Sequence, residues 1–92
     1  MTPTFERSLP SLYALANPIR IKILATLATD GPVSFSVLSK SIGINGPKLV
    51  HHLNKLHGAN LVLKKVSNDP NSPLYRIYEI SPAGREWLGK LE

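Results

Sequence analysis

Lys48, His51, His52, Asn54 and Lys55 fall within one run, Pro47-Lys48-Leu49-Val50-His51-His52-Leu53-Asn54-Lys55-Leu56. Their chemistry is that of a grip on nucleic acid. A lysine ammonium donates to guanine O6 and N7 or to a phosphate, and an imidazole donates or accepts at purine edges. Lys48 and His51 are best placed for base edges, while Asn54 and Lys55 lie farther along and suit phosphates. Two other chemistries are poorly served. Adjacent His51 and His52 diverge by about 100° on a helix, and neither stands four residues from His57, so no zinc site is expected. The serines at 34, 36, 39 and 41 lack a partnered acid and base, no glycine loop is suited to cradle phosphate, and the acidic residues are scattered. Neither an enzyme nor a cofactor is expected.

A helix must carry these side chains. Leu49, Leu53 and Leu56 fall within about 60° of one another at about 100° per residue, and form the stripe to be buried. Lys48, His51, Asn54 and Lys55 occupy the opposite half of the wheel, and His52 sits at the boundary, where packing and a local hydrogen bond are its simplest role. Asn45 can cap this helix and can also reach DNA, and Pro47 is tolerated in the first turn. Upstream, Ser34 caps a shorter helix with Val37, Leu38 and Ile42 inward, and Gly43 fits the left-handed position past its end. Two helices and a glycine-bearing turn are the arrangement that seats one helix in a major groove.

Downstream, Gly58-Ala59-Asn60 ends the helix. Leu61 to Ser67 and Leu74 to Ile80 then read as a hairpin with its tip at 68–73. Lys64, Lys65 and Arg76 on this hairpin are candidate phosphate contacts, and Asn68, Asn71 and Ser72 at the tip can enter the minor groove. Asn17-Pro18 starts an amphipathic helix running to about Ala28, with Ile19, Ile23, Leu24 and Leu27 inward and Arg20 and Lys22 elsewhere. Leu9, Leu12, Tyr13 and Leu15 suggest a short helix before it. Ser81-Pro82 starts a last helix bearing Trp87, Leu88 and Leu91 on one side.

The chain has 92 residues, a formal charge of +5 and no cysteine. One domain over 1–92 is expected, with 1–10 loosely ordered. Disulfides and thiolate metal sites are excluded. No apolar run approaches the roughly 20 residues that span a bilayer, and no secretion signal is evident, so a cytoplasmic protein with no membrane partner is expected. Lys48, Lys55, Lys64, Lys65 and Arg76 face only Asp69 between positions 48 and 76, the footprint of a phosphate partner.

Three segments resemble ArsR-type winged-helix regulators. Ala14-Leu15-Ala16-Asn17-Pro18-Ile19-Arg20-Ile21-Lys22-Ile23-Leu24 is similar to the family's opening, and the run from Pro47 to Leu56 to its recognition helix. Leu61-Val62 matches the start of its wing, and Ser81-Pro82-Ala83-Gly84-Arg85 the start of a last helix common among winged-helix regulators. The resemblance implies an α+β, mainly α, winged helix-turn-helix fold with a two-stranded hairpin wing and a C-terminal helix. It also implies a homodimeric transcriptional regulator, usually a repressor, reading an inverted repeat in double-stranded DNA. The dimer would form through terminal helices that bear Leu12, Tyr13, Trp87, Leu88 and Leu91. Gly46 and Val50 stand where the family often has polar residues, and no metal-sensing ligand set is inherited. A winged helix that binds protein, or a sequence-neutral architectural DNA binder, would use the same basic face.

Overall fold

Asn17 opens the first complete helix of the computed structural model, which describes residues 14–66 and 76–91. Its Oδ1 accepts from the Ile19 N–H at 2.8 Å, and Pro18 follows in the first turn, where its missing donor is not needed. This helix, α1 (Pro18–Asp30), runs two residues beyond the Ala28 expected from its apolar spacing. It ends at Gly31, which has φ 78° and donates its N–H to the Leu27 carbonyl. Ile23, Leu24 and Leu27 are fully buried, and α1 packs against all the other complete helices and one strand.

Strand β1 (Val33–Ser34) comes next, and leads without a break into α2 (Phe35–Ile42). Ser34 does double duty. Its Oγ accepts from the Val37 N–H at 3.3 Å as the cap of α2, while its backbone lies in the sheet. Leu38 and Ile42 are buried as expected, but Val37 is not; it stands 49% exposed. It immediately precedes Leu38 and so turns about 100° away from the inward stripe. Gly43 adopts the left-handed conformation (φ 80°, ψ 33°), and Ser39 Oγ donates to the Ile44 carbonyl at 2.6 Å, fixing the turn.

Helix α3 (Gly46–Gly58) is capped by Asn45, whose Oδ1 accepts from the Lys48 N–H at 3.0 Å. Leu49, Leu53 and Leu56 are buried to 1% exposure or less, each worth about 1.5–3 kcal/mol of transfer free energy. Past its end Asn60 takes a positive φ of 66°, Leu61 donates to the Leu56 carbonyl, and Asn60 donates to the His57 carbonyl. That pair of bonds is the Schellman closure, with Leu61 and Leu56 in apolar register.

Strands β2 (Val62–Val66) and β3 (Arg76–Ile80) form the hairpin, and α4 (Pro82–Leu91) closes the described chain. The sheet has three strands in the order β1-β3-β2, all antiparallel, where the sequence suggests two. The extra strand is only two residues long and pairs with Ile77 and Tyr78, far along the chain, so no local periodicity marks it. Tyr78, Ile80 and Val62 face the core. The hairpin tip with Asn68, Asn71 and Ser72, the loose start expected over 1–10, and Leu12 and Tyr13 lie outside the described residues.

Candidate nucleic-acid interface

Burying Leu49, Leu53 and Leu56 forces the other half of α3 outward, so Lys48, His51, Asn54 and Lys55 are all exposed on one face. The helix has no acidic residue to offset them. Among the described residues Lys48, Lys55 and Lys64 form no ion pair. Asn45 is exposed at the head of the same helix, with Oδ1 committed to the cap and its NH₂ left for a phosphate or base. Five of the nine sequence candidates are thus brought together on one helix.

His52 is not among them. It is 5% exposed and its Nδ1 accepts from Arg20 Nε at 3.1 Å, across from α1. Its place is in the seam between the two helices, the packed and hydrogen-bonded role that its boundary position suggests, and apart from the exposed candidates. Arg20, expected to point away, is drawn back by this bond and by a second to the Ala14 carbonyl at 3.4 Å. The His52 and His51 rings meet edge to face at 5.4 Å.

Burial first, then the charges of Arg20, His51 and Lys48, hold the His52 imidazole below its ordinary pKa. The unfolded chain therefore takes up a proton at a higher pH than the folded one. Stability from neutral His52 is fully present above about pH 6.5 and is lost as pH falls through the lower folded value. Thermal unfolding followed by circular dichroism should show a midpoint that drops between pH 7.5 and 5. His52→Gln, which keeps an acceptor for Arg20, should flatten that drop; an identical drop in the variant would place its origin elsewhere.

The hairpin carries the other three candidates, and register divides them. Lys64 stands opposite Tyr78 and Val66 opposite Arg76, so Lys64 and Arg76 share one face of the hairpin. Lys65 lies on the other face, opposite Ile77, and pairs with Glu79 at 3.2 Å. Its charge is partly answered within the fold. Arg76 is exposed, with Cζ 5.3 Å from the centroid of the Phe35 ring. Sequence reasoning passed over Arg20, Phe35 and Glu79, the partners of three candidates. Each pairing joins residues remote in sequence, and only a known strand register would have exposed those of Phe35 and Glu79.

Among the described residues no cluster of His, Asp and Glu could hold a metal ion, and no helix is long and apolar enough to cross a membrane. The arrangement offers hydrogen-bond donors and positive charge on an exposed helix with a basic hairpin beside it, the geometry of a groove-reading helix flanked by a backbone-gripping wing.

Comparison with known proteins agrees. Residues 15–64 match a family model for the helix-turn-helix domain, more than half of the chain. Curated protein sequences give no significant match. Among solved structures, the chain is similar to NolR from Sinorhizobium fredii, with a TM-score of 0.80 at 27% identity over 99% of this chain and 90% of that one. It shares its fold with the homodimeric winged helix-turn-helix DNA-binding domain of Mb0332 from Mycobacterium bovis, a possible ArsR-family regulator. There the TM-score is 0.81 at 20% identity, over 96% and 77% of the two chains. The ArsR family transcriptional regulator RHA00566 gives a TM-score of 0.73 at 22% identity, over 99% and 92%. The chain belongs to the helix-turn-helix domain family, and it has the winged fold of the ArsR-type proteins that its sequence resembles.

Proposed function

We propose that this protein is a cytoplasmic transcriptional repressor that reads an inverted repeat in double-stranded DNA as a homodimer. The observation that carries the reading is the exposed face of α3, where Lys48, His51, Asn54 and Lys55 stand together with no acidic neighbour on the helix. Lys48 and His51 address base edges in the major groove. Asn45, Asn54 and Lys55 take phosphates near the helix, and Lys64, Lys65 and Arg76 take phosphates along the wing. Repression follows from occupying a promoter.

The dimer reading is supported by the homodimeric state of the Mb0332 domain, which has the same fold. It is also supported by the last helix, where Leu91 is 51% exposed and Trp87 and Leu88 are only partly buried. Two copies of α3 would meet half-sites about one helical turn, roughly 34–36 Å, apart.

Selection of bound duplexes from a random library at near-physiological salt, followed by sequencing, tests the reading. An enriched inverted repeat is the expected result. On that repeat, Lys48→Ala should cost about 1–3 kcal/mol and relax preference at one position, whereas Lys64→Ala should weaken all sequences alike. Unenriched sequence would mark a sequence-neutral binder, and no recovered duplex would point to a protein partner.

A further inference from the structure

Phe35 is the first residue of α2 and follows directly on β1, and its ring packs at the edge of the core. It is only half-buried. Arg76 of the wing lies over it, with Cζ 5.3 Å from the ring centroid, and Tyr78 of the same strand is 6.4 Å away at 48°. The start of α3 lies near the ring as well. A Cβ added at Gly46 would stand 3.8 Å from Phe35 Cε1 and 3.9 Å from Cζ, so the ring faces the first turn of that helix. One side chain thus lies beside both of the elements that carry candidate DNA contacts.

We propose that Phe35 is a positioning residue for DNA binding, its ring fixing the wing's Arg76 relative to the start of α3. The proposal rests on the DNA-binding reading above. A guanidinium can rest against an aromatic ring and keep N–H donors for a phosphate, so the ring contact and a phosphate contact are compatible. Arg76 forms no ion pair among the described residues, so the ring supplies the order that an acidic partner would otherwise give. An ordered side chain loses less freedom when it binds, and that saving is Phe35's contribution to affinity.

The test is a double-mutant cycle on a duplex recovered from the selection, read as affinity and as the slope of log affinity against log salt. Phe35→Leu is expected to weaken binding about two- to five-fold on every sequence. Arg76→Ala is expected to make the slope about 0.9 shallower. In the Arg76→Ala background Phe35→Leu should have no further effect, and Phe35→Tyr, which keeps the ring, should bind like the wild type. In the free protein, the ring-current displacement of the Arg76 side-chain resonances should be present in wild type and Phe35→Tyr and absent in Phe35→Leu.

Equal losses from Phe35→Leu with and without Arg76 would overturn the proposal, as would a tyrosine variant no better than the leucine one. Should Phe35→Leu not fold, Arg76→Lys takes its place: charge and slope are kept, and affinity should still fall because the guanidinium's contact with the ring is gone. Wild-type affinity in that variant would refute the role of the ring. A wild-type protein that binds no duplex would remove the DNA-binding reading and this proposal with it. Additive losses in a protein that does bind would remove this proposal alone.

Discussion

Between 50 and 200 mM monovalent salt, binding to a selected duplex should weaken about ten-thousand-fold. Each phosphate neutralised by a cation releases condensed counterions, and log affinity falls with log salt at about 0.9 per phosphate. Lys55 on α3 and Lys64, Lys65 and Arg76 on the wing are the exposed cations assigned to phosphates. Lys48 is left out of the count because it addresses base edges, and Lys65 is kept because its 3.2 Å bridge to Glu79 leaves its side chain 69% exposed and holds it only weakly. Four cations per protomer, doubled in a dimer, give a slope near −7. Titration at several salt concentrations measures it directly. A slope about half as steep would mean one protomer per duplex, and a slope near zero would sink the electrostatic account of the basic face.

The second large effect is on stability and concerns Gly84. Its backbone approaches the exit of α3 so closely that an added Cβ would collide with the Leu61 carbonyl oxygen and come within 2.8 Å of Ile80 Cγ1. That oxygen cannot yield freely, because it accepts the Ser81 N–H at 3.0 Å. Nor can the start of α4, since Ser81 Oγ accepts the Gly84 N–H at 2.9 Å and donates to the Asn60 carbonyl at 2.8 Å. Gly84→Ala should therefore cost about 1–3 kcal/mol, a large share of the roughly 5–14 kcal/mol expected for a chain of this length. The thermal midpoint should fall by roughly 5–20 °C. Gly89, in the same helix with open space around it, is the control: Gly89→Ala should hold or raise the midpoint. If Gly84→Ala melts with the wild type, α4 is not seated against Leu61 as described.

What was legible in the sequence is what short-range chemistry determines. Asn17, Ser34, Asn45 and Ser81 each accept a backbone N–H two or three residues on, so capping side chains before short apolar patterns located the starts of the four complete helices among the described residues. The stripe of Leu49, Leu53 and Leu56 was equally visible, because helical periodicity needs only the residues of one turn and the next. All but one of the misreadings involve distance along the chain. Strand β1 exists because Val33 and Ser34 meet Tyr78 and Ile77. His52 sat on the boundary of the wheel, and Arg20, 32 residues earlier, decided which side it took. Lys65 looked like a free cation until the hairpin register set Glu79 beside it. Val37 was misplaced for a different reason: the helix was too short for its period to separate neighbouring positions.

The double role of Ser34 has a bearing on how this architecture can be re-engineered. The residue that caps α2 with its hydroxyl also pairs with Ile77 through the sheet, and Phe35 beside it supports Arg76. The wing is therefore not a detachable module. A hairpin transplanted from a relative onto this chain would arrive without its own third strand, and would have to accept the edge that Val33 and Ser34 present. Grafts that exchange 62–80 alone would mismatch that edge, whereas grafts that carry 33–35 with the hairpin preserve the gearing between the groove-facing helix and its wing.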